Sequence, residues 1–268
     1  LRLLWPALLV LATSCGTAPA APPLPEVKGA FGARPQVIIP AGKPGRTTRV
    51  AELEPGRGRE TAPGDVVLAD VELRLWRGNQ TRASTYGTHR PIAVVLDGRP
   101  IPRVWREAVV GRPAGSRLLL VGPAAQVLGA GLDLDAGDLP PGEPLVAVVD
   151  ILGGYPPDAR LVGRPLPSPP AGLTPDDPAR TLIGGSGEAV RAGSKVVVQY
   201  VAVDWPSRTL ADSSYRTGGP AAFTLTGDGA PAGWVEGLRG QRVGGRVAFG
   251  SPPGGLLYVV DVVDCVDC

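Results

Sequence analysis

The sequence predicts an α+β chain of two similar domains, each an antiparallel β-sheet wrapped around one short α-helix. Three observations carry that expectation. Trp105, Gly111, Gly115 and Arg117 precede Trp234, Gly240, Gly244 and Arg246 by a constant 129 positions, and Gly64, Trp76, Tyr86, Pro91 and Leu96 stand in the same register to Gly193, Trp205, Tyr215, Pro220 and Leu225. The first copy contains a run of strict apolar–polar alternation with period two, the pattern of a strand that buries one face, and the matching run of the second alternates less cleanly because more of it is apolar. Each copy also carries one short helical pattern closed by a glycine.

In the first copy, residues 66–76 alternate strictly. Val67, Ala69, Val71, Leu73 and Leu75 take one face and Asp70, Glu72 and Arg74 the other, which predicts a half-buried antiparallel strand. Further strands are expected at 92–96, 116–121 and 145–151. The second copy repeats them at 196–203, 222–225, 245–249 and 256–263. Trp105, Ala108 and Val109 share a helical face before Gly111, and Trp234, Gly237 and Leu238 do so before Gly240. The repeat breaks register once. Asp150 matches Asp261 at an offset of 111, so the second copy lacks about 18 residues between its last two strands. Residues 153–180 hold eight prolines and read as a semi-rigid linker or a crossing edge segment with no helix.

Composition narrows the function classes. A chain of 268 residues accommodates two domains of roughly 100 to 130 residues, each able to bury a core. The 38 glycines and 31 prolines fall between strand patterns, so they read as turns and linkers rather than as low complexity. A net charge of +2 with interspersed signs, and no basic run interleaved with aromatics, leaves no nucleic-acid footprint.

Residues 3–12 form an apolar run after Arg2, too short for a bilayer core of about 30 Å, and read as the core of a signal peptide over 1–14. The run Leu11-Ala12-Thr13-Ser14-Cys15 resembles the lipobox of bacterial lipoproteins, with Cys15 as the lipidated residue. The alternative is an ordinary signal peptide with Cys15 incidental. Residues 15–26 then form a Pro-rich tether, 27–152 the first domain, 153–180 the linker and 181–268 the second domain. The expected location is the outer face of the bacterial cell membrane, anchored through Cys15, or secretion if Cys15 carries no lipid.

The ordered set Ile183-Gly-Gly-Ser-Gly187, Gly193, Tyr200, Ala211-Asp212-Ser213-Ser214-Tyr215, Pro220, Phe223-Thr-Leu225, Gly233-Trp234-Val-Glu-Gly237-Leu238 and Val243-Gly244 resembles the FKBP-type peptidyl-prolyl cis-trans isomerases. Gly56-Arg-Gly58, Gly64-Asp65, Trp105, Val110-Gly111, Gly115-Ser116-Arg117 and 145–151 follow the same order in the first copy. The resemblance covers about 27 to 264 in the tandem lipoprotein arrangement of actinobacteria. It implies two FKBP-like domains and rotation about X-Pro bonds in a dry aromatic pocket, with proline-containing peptides or exported proteins as partners and no cofactor.

Carried over residue by residue, the resemblance makes Trp234 the pocket floor, Tyr200 and Asp212 the polar pair, Phe223 a wall, and Tyr258 the replacement for the last strand's Phe. These five are the catalytic candidates. Two departures bear on activity. Ala211 and Ala221 stand where the family usually has Phe, and Pro231 occupies the position whose backbone N–H the family uses, although proline has none. A shallow, wet pocket is the expectation. In the first copy Val71, Ala83 and Ala147 replace the Tyr, the Asp and the Phe. Ile92, Ile101, Trp105 and Leu128 remain as substrate-binding candidates. Pro102 again lies three before the Trp, unless residues 101–105 hide a one-residue insertion.

Each candidate has a plainer reading: Trp105 and Trp234 as core packing, and Asp212 as the cap of its own turn. A Ser-His-Asp site would have to use His89, the sole histidine, in a turn before Pro91. Cys265 and Cys268 follow a strand rather than opening a helix, which favours an inert disulfide over a redox pair, and two cysteines are too few for structural zinc. The expected function is an exported, lipid-anchored isomerase or folding factor with weak or lost activity; the alternative is a non-catalytic peptide- or protein-binding lipoprotein.

Overall fold

The computed structural model describes residues 22–268 except 46, 89, 97–100, 130, 133, 160–166, 218 and 253–254. Cys15, the tether up to Ala21 and His89 therefore lie outside the described residues. The first half runs β1 (Glu26–Lys28), β2 (Gln36–Ile38), β3 (Arg49–Glu54), β4 (Val66–Leu75), β5 (Thr81–Ser84), α1 (Thr85–Thr88), β6 (Ile92–Val95), α2 (Arg103–Val109), β7 (Arg117–Pro123), α3 (Ala124–Val127) and β8 (Pro144–Tyr155). The second runs β9 (Arg180–Ile183), β10 (Lys195–Asp204), β11 (Leu210–Ser213), α4 (Ser214–Thr217), β12 (Ala221–Thr224), α5 (Trp234–Leu238), β13 (Arg246–Ser251) and β14 (Leu256–Val266).

Two antiparallel six-stranded sheets have the same topology. One is ordered β3-β7-β8-β4-β5 with β6 also on β4, the other β9-β13-β14-β10-β11 with β12 also on β10. Each curls around its short helix, α2 or α5, and buries that helix's tryptophan completely. Gly111 and Gly240, just past these helices, have φ of 73° and 77°, a left-handed turn that glycine adopts without a Cβ penalty. The α+β class and the duplicated architecture are as the sequence predicts.

Four details differ. The strand over 66–76 is buried on both faces: Val66, Leu68, Asp70 and Glu72 are as inaccessible as Val67, Ala69, Val71 and Leu73. Its polar face is covered by the β1–β2 hairpin region and by the second domain. Arg34 reaches Glu72 at 3.1 Å, Lys195 of β10 pairs with Asp70, and Leu68 shares an apolar cluster with Val197. The carboxylates look solvent-bound in sequence because the groups that cover them, Arg34 and Lys195, lie 38 and 125 positions away, although Arg74 also pairs with Glu72 at 2.8 Å. Next, β8 continues to Tyr155, past the boundary at 152, and Tyr155 donates to Asp264 at 2.6 Å. Third, β1, β2, β3 and β9 are too short or too exposed to alternate visibly. Last, the short turns α1, α3 and α4 add to the single expected helix per copy; α3 opens the long loop that the second domain lacks. Residues 167–179 contain no helix, as expected, but they are no free spacer, because Leu173 is fully buried against Val201, Val203 and Ala248.

Glu72 yields a pH prediction. Burial raises its pKa, but hydrogen bonds from Arg34 and Thr81 outweigh this and leave it below the usual carboxylate value of 4.5. A depressed pKa contributes stability above the unfolded value and loses it as pH falls through the folded one. The first domain should therefore weaken below about pH 4.5, and Glu72→Gln should flatten that part of the profile of denaturation midpoint against pH. An unchanged slope in the variant would count against the Glu72 pairing.

Candidate functional site

In the second domain, five strands converge on Trp234. Alternation along β10 turns Val196, Val198, Tyr200 and Ala202 inward. Register places Ala202 opposite Tyr258 of β14 and opposite Asp212 of β11, Val196 opposite Phe223 of β12, and Phe249 of β13 opposite Tyr258. Gly233 opens α5 with φ of 82°; a Cβ there would stand 2.5 Å from the Gly250 carbonyl oxygen. Only glycine lets the helix start close enough for its first side chain to reach the sheet.

The rings form a cage. Centroids of Phe223, Tyr200 and Tyr258 lie 4.8, 5.4 and 5.4 Å from Trp234, and Phe249 lies 6.1 Å away, most of them edge-on. Phe249 was not among the sequence candidates. Its place two residues after Val247 on an inward-facing strand is the signal that could have found it. At the rim, the Tyr200 hydroxyl donates to Asp212 Oδ2 at 2.6 Å, while Asp212 Oδ1 accepts the Ser213 N–H at 2.7 Å. Asp212 thus caps its turn and holds the tyrosine at once. Burial, then the Asp212 hydrogen bond and charge, pushes the Tyr200 pKa up, so the hydroxyl stays a donor. Burial also raises that of Tyr258, partly offset by the neighbouring Trp234 indole.

All five catalytic candidates of the second domain are therefore brought together. The expected shallow, wet pocket is not open to Trp234, which has no exposed surface, and Tyr258 has only 6%, because the neighbouring rings cover the floor. The Phe223, Tyr200 and Tyr258 rings pack directly on the indole beside the small Ala211 and Ala221 positions. Pro231 offers no N–H, and its carbonyl accepts the Trp234 backbone N–H at 3.1 Å. Pro102 does the same for Trp105 at 3.0 Å, so the two turns match without an insertion.

The tryptophans differ in one bond. Trp105 Nε1 donates to the Val127 carbonyl of α3 at 2.7 Å, whereas the buried Trp234 Nε1 has no hydrogen-bond acceptor among the described residues. The deletion between β13 and β14 removed the segment that would supply one. The Tyr258 hydroxyl lies near enough to feel the indole but outside hydrogen-bond geometry.

The first domain also gathers its candidates, but seals them. Ile92, Ile101 and Trp105 are 4%, 7% and 0% exposed, in one core with Leu132 and Ala136 of the long loop, and Leu128 packs half-buried against it. Arg82 fastens this loop through the Ala136 carbonyl at 2.9 Å. What remains open is a cleft of about 520 Å³ whose lining includes Arg82, Ala83, Arg90, Ile92 and Leu134. Val71, Ala83 and Ala147 stand in place of Tyr200, Asp212 and Tyr258, so the hydroxyl–carboxylate pair of the second domain is missing from the matching positions.

Cys265 and Cys268 form a disulfide at the end of β14, packed against the second core. Among the described residues, no group of three or more His, Cys, Asp or Glu side chains is arranged to hold a metal, and no helix is long and apolar enough to cross a membrane.

A family model described as FKBP-type peptidyl-prolyl cis-trans isomerase matches residues 186–254, which contain Tyr200, Asp212, Phe223 and Trp234. A probable FK506-binding protein of Corynebacterium glutamicum is 40% identical over 85 residues, 31% of this chain and 70% of that protein. An FK506-binding protein of Streptomyces anulatus is 34% identical over 112 residues, 35% of this chain and 90% of its own length. The FKBP-type isomerase FkpA of Escherichia coli is 38% identical over 69 residues, 26% of this chain and 24% of that protein.

Proposed function

Because this chain belongs to the FKBP-type peptidyl-prolyl cis-trans isomerase family, we propose that it is an exported folding factor, lipid-anchored at Cys15, whose second domain holds a weak isomerase site and whose first domain has lost one. The observation that carries this reading is the Tyr200–Asp212 pair at 2.6 Å on the rim of the Trp234 cage, with valine and alanine at the matching positions of the first domain. Its partners are proline-containing peptides or exported proteins.

Rotation about a peptide bond crosses a barrier of roughly 18 to 20 kcal/mol set by amide resonance, and X-Pro exchange takes tens to hundreds of seconds uncatalysed. A twisted amide has lost resonance and carries less charge separation than a planar one. A dry aromatic surface therefore favours the twisted form, which lowers the barrier without covalent chemistry. The Tyr200 hydroxyl, kept protonated, gives its one O–H to Asp212 in the free protein and would donate to a substrate carbonyl by turning from Asp212 to it. Pro231 removes a second donor, which is why the activity is proposed to be weak.

Pro231 and the closed cage also support a second reading, a binding lipoprotein without turnover. A proline-peptide isomerisation assay separates the two. The expected result is a rate above background that falls about ten-fold in Tyr200→Phe, the loss of one hydrogen bond to a polarised group, and is unchanged in Ala83→Ser in the first domain. Background rates from the wild-type chain would leave only the binding reading. The anchor rests on the lipobox-like run before Cys15 and the Pro-rich tether; the mass of the N-terminal peptide from membrane fractions tests it separately.

A further inference from the structure

The point where the described chain begins and a basic cavity lie on one face of the first domain. Pro22 packs beside Gly45, where an added Cβ would stand 3.6 Å from its ring, and its carbonyl accepts from Arg49. Next to Gly45 is a cavity of about 390 Å³ whose lining includes Lys43, Pro44, Trp76, Arg77, Pro123 and Pro144. Its back wall is fixed, because Trp76 is 7% exposed and its Nε1 donates to the Gly42 carbonyl at 2.9 Å. Its two cations are free to meet a ligand: Lys43 and Arg77 are both exposed. Residues 37–51 carry Lys43, Arg46 and Arg49 and no carboxylate, and the one acidic side chain next to the lining in sequence, Glu143, is partly buried.

We infer that this cavity takes the anionic headgroup of a membrane phospholipid and so orients the protein on the bilayer. The inference rests in part on the anchor reading. Six residues lie between Cys15 and Pro22, and seven steps of no more than about 3.6 Å hold Pro22, beside the cavity, within about 25 Å of an acylated Cys15. A buried, hydrogen-bonded tryptophan wall under two exposed cations suits a headgroup, whose phosphate meets the cations while its glycerol end meets the apolar wall. The tether alone would let the domain tumble; a weak surface contact is enough to select one face, because the anchor already supplies a high local concentration.

The test uses the chain from Cys15 onward with Cys15→Ser, so that no acyl chain contributes, in co-sedimentation with vesicles. Binding is expected to vesicles of phosphatidylglycerol mixed with phosphatidylcholine and not to phosphatidylcholine alone. Each basic side chain near an anionic surface is worth about five-fold in binding, so Lys43→Gln with Arg77→Gln should weaken it about 25-fold. Both side chains are exposed, so the thermal transition of that variant should be unchanged. Millimolar inorganic phosphate should not displace the protein from vesicles. Absence of binding to anionic vesicles, equal binding to neutral ones, binding undiminished in the double variant, or full displacement by phosphate would each overturn the inference. None of these outcomes depends on whether Cys15 is acylated, so failure of the anchor would be seen separately in the N-terminal mass.

Discussion

Asp150→Ala is expected to destabilise the first domain by about 3 to 5 kcal/mol, the cost of breaking a buried ion pair from one side. Arg117 and Asp150 are 1% and 0% exposed and meet through two bonds, Nε to Oδ1 at 2.6 Å and Nη2 to Oδ2 at 2.8 Å. Oδ2 also accepts the Tyr86 hydroxyl at 2.7 Å and the Gly32 N–H at 2.8 Å. Burial by itself lowers the Arg117 pKa, and Asp150 more than restores it. Without the carboxylate, a guanidinium, a phenol and a backbone N–H are left buried short of an acceptor. The equivalent Asp261→Ala should cost less, because Arg246 is 10% exposed and, among the described residues, no backbone N–H like that of Gly32 donates to Asp261. Urea denaturation with a probe in each domain reads both, and a loss under about 1 kcal/mol for Asp150→Ala would contradict the account.

Trp234→Ala should cost the second domain about 3 to 5 kcal/mol, the range for emptying a large buried aromatic site. The indole is the common neighbour of Tyr200, Phe223, Phe249 and Tyr258, so its loss leaves a cavity that four rings cannot fill without moving Tyr200 away from its own strand. Near-UV circular dichroism should collapse with the second domain's transition while the first domain's remains. If that transition shifts by less than about 1 kcal/mol, the cage is not what holds β10 to α5.

The buried Arg–Asp–Tyr set shows how far the sequence could be read. Arg117 and Arg246, Tyr86 and Tyr215, and Asp150 and Asp261 all stood out as repeated positions, yet nothing in their spacing said that they meet. Repetition marks residues that two copies both keep; it carries no information on which strands lie side by side. The second site was more legible, because Tyr200, Asp212, Phe223, Trp234 and Tyr258 occur in an order tied to a known family. Phe249 escaped because a single aromatic in an apolar strand looks like any core residue. Asp70 and Glu72 were misread for the opposite reason: charge at alternate positions normally means water, and the groups that cover them, Arg34 and Lys195, are remote in sequence.

By itself, the sequence determined the duplication, the α+β class, the inner face of most strands, the helix stops at Gly111 and Gly240, and five of the six residues of the Trp234 site, Phe249 being the exception. These follow from local rules of periodicity, backbone freedom and residue order. Only the tertiary structure decided that β4 is buried on both sides, that the first cleft is filled by its own loop, that the Trp234 indole lost its acceptor together with the deleted segment, and that Pro22 emerges beside a basic cavity. Those outcomes depend on groups many positions apart, and burial or pairing at that range is set by how sheets and loops pack, which no local pattern records.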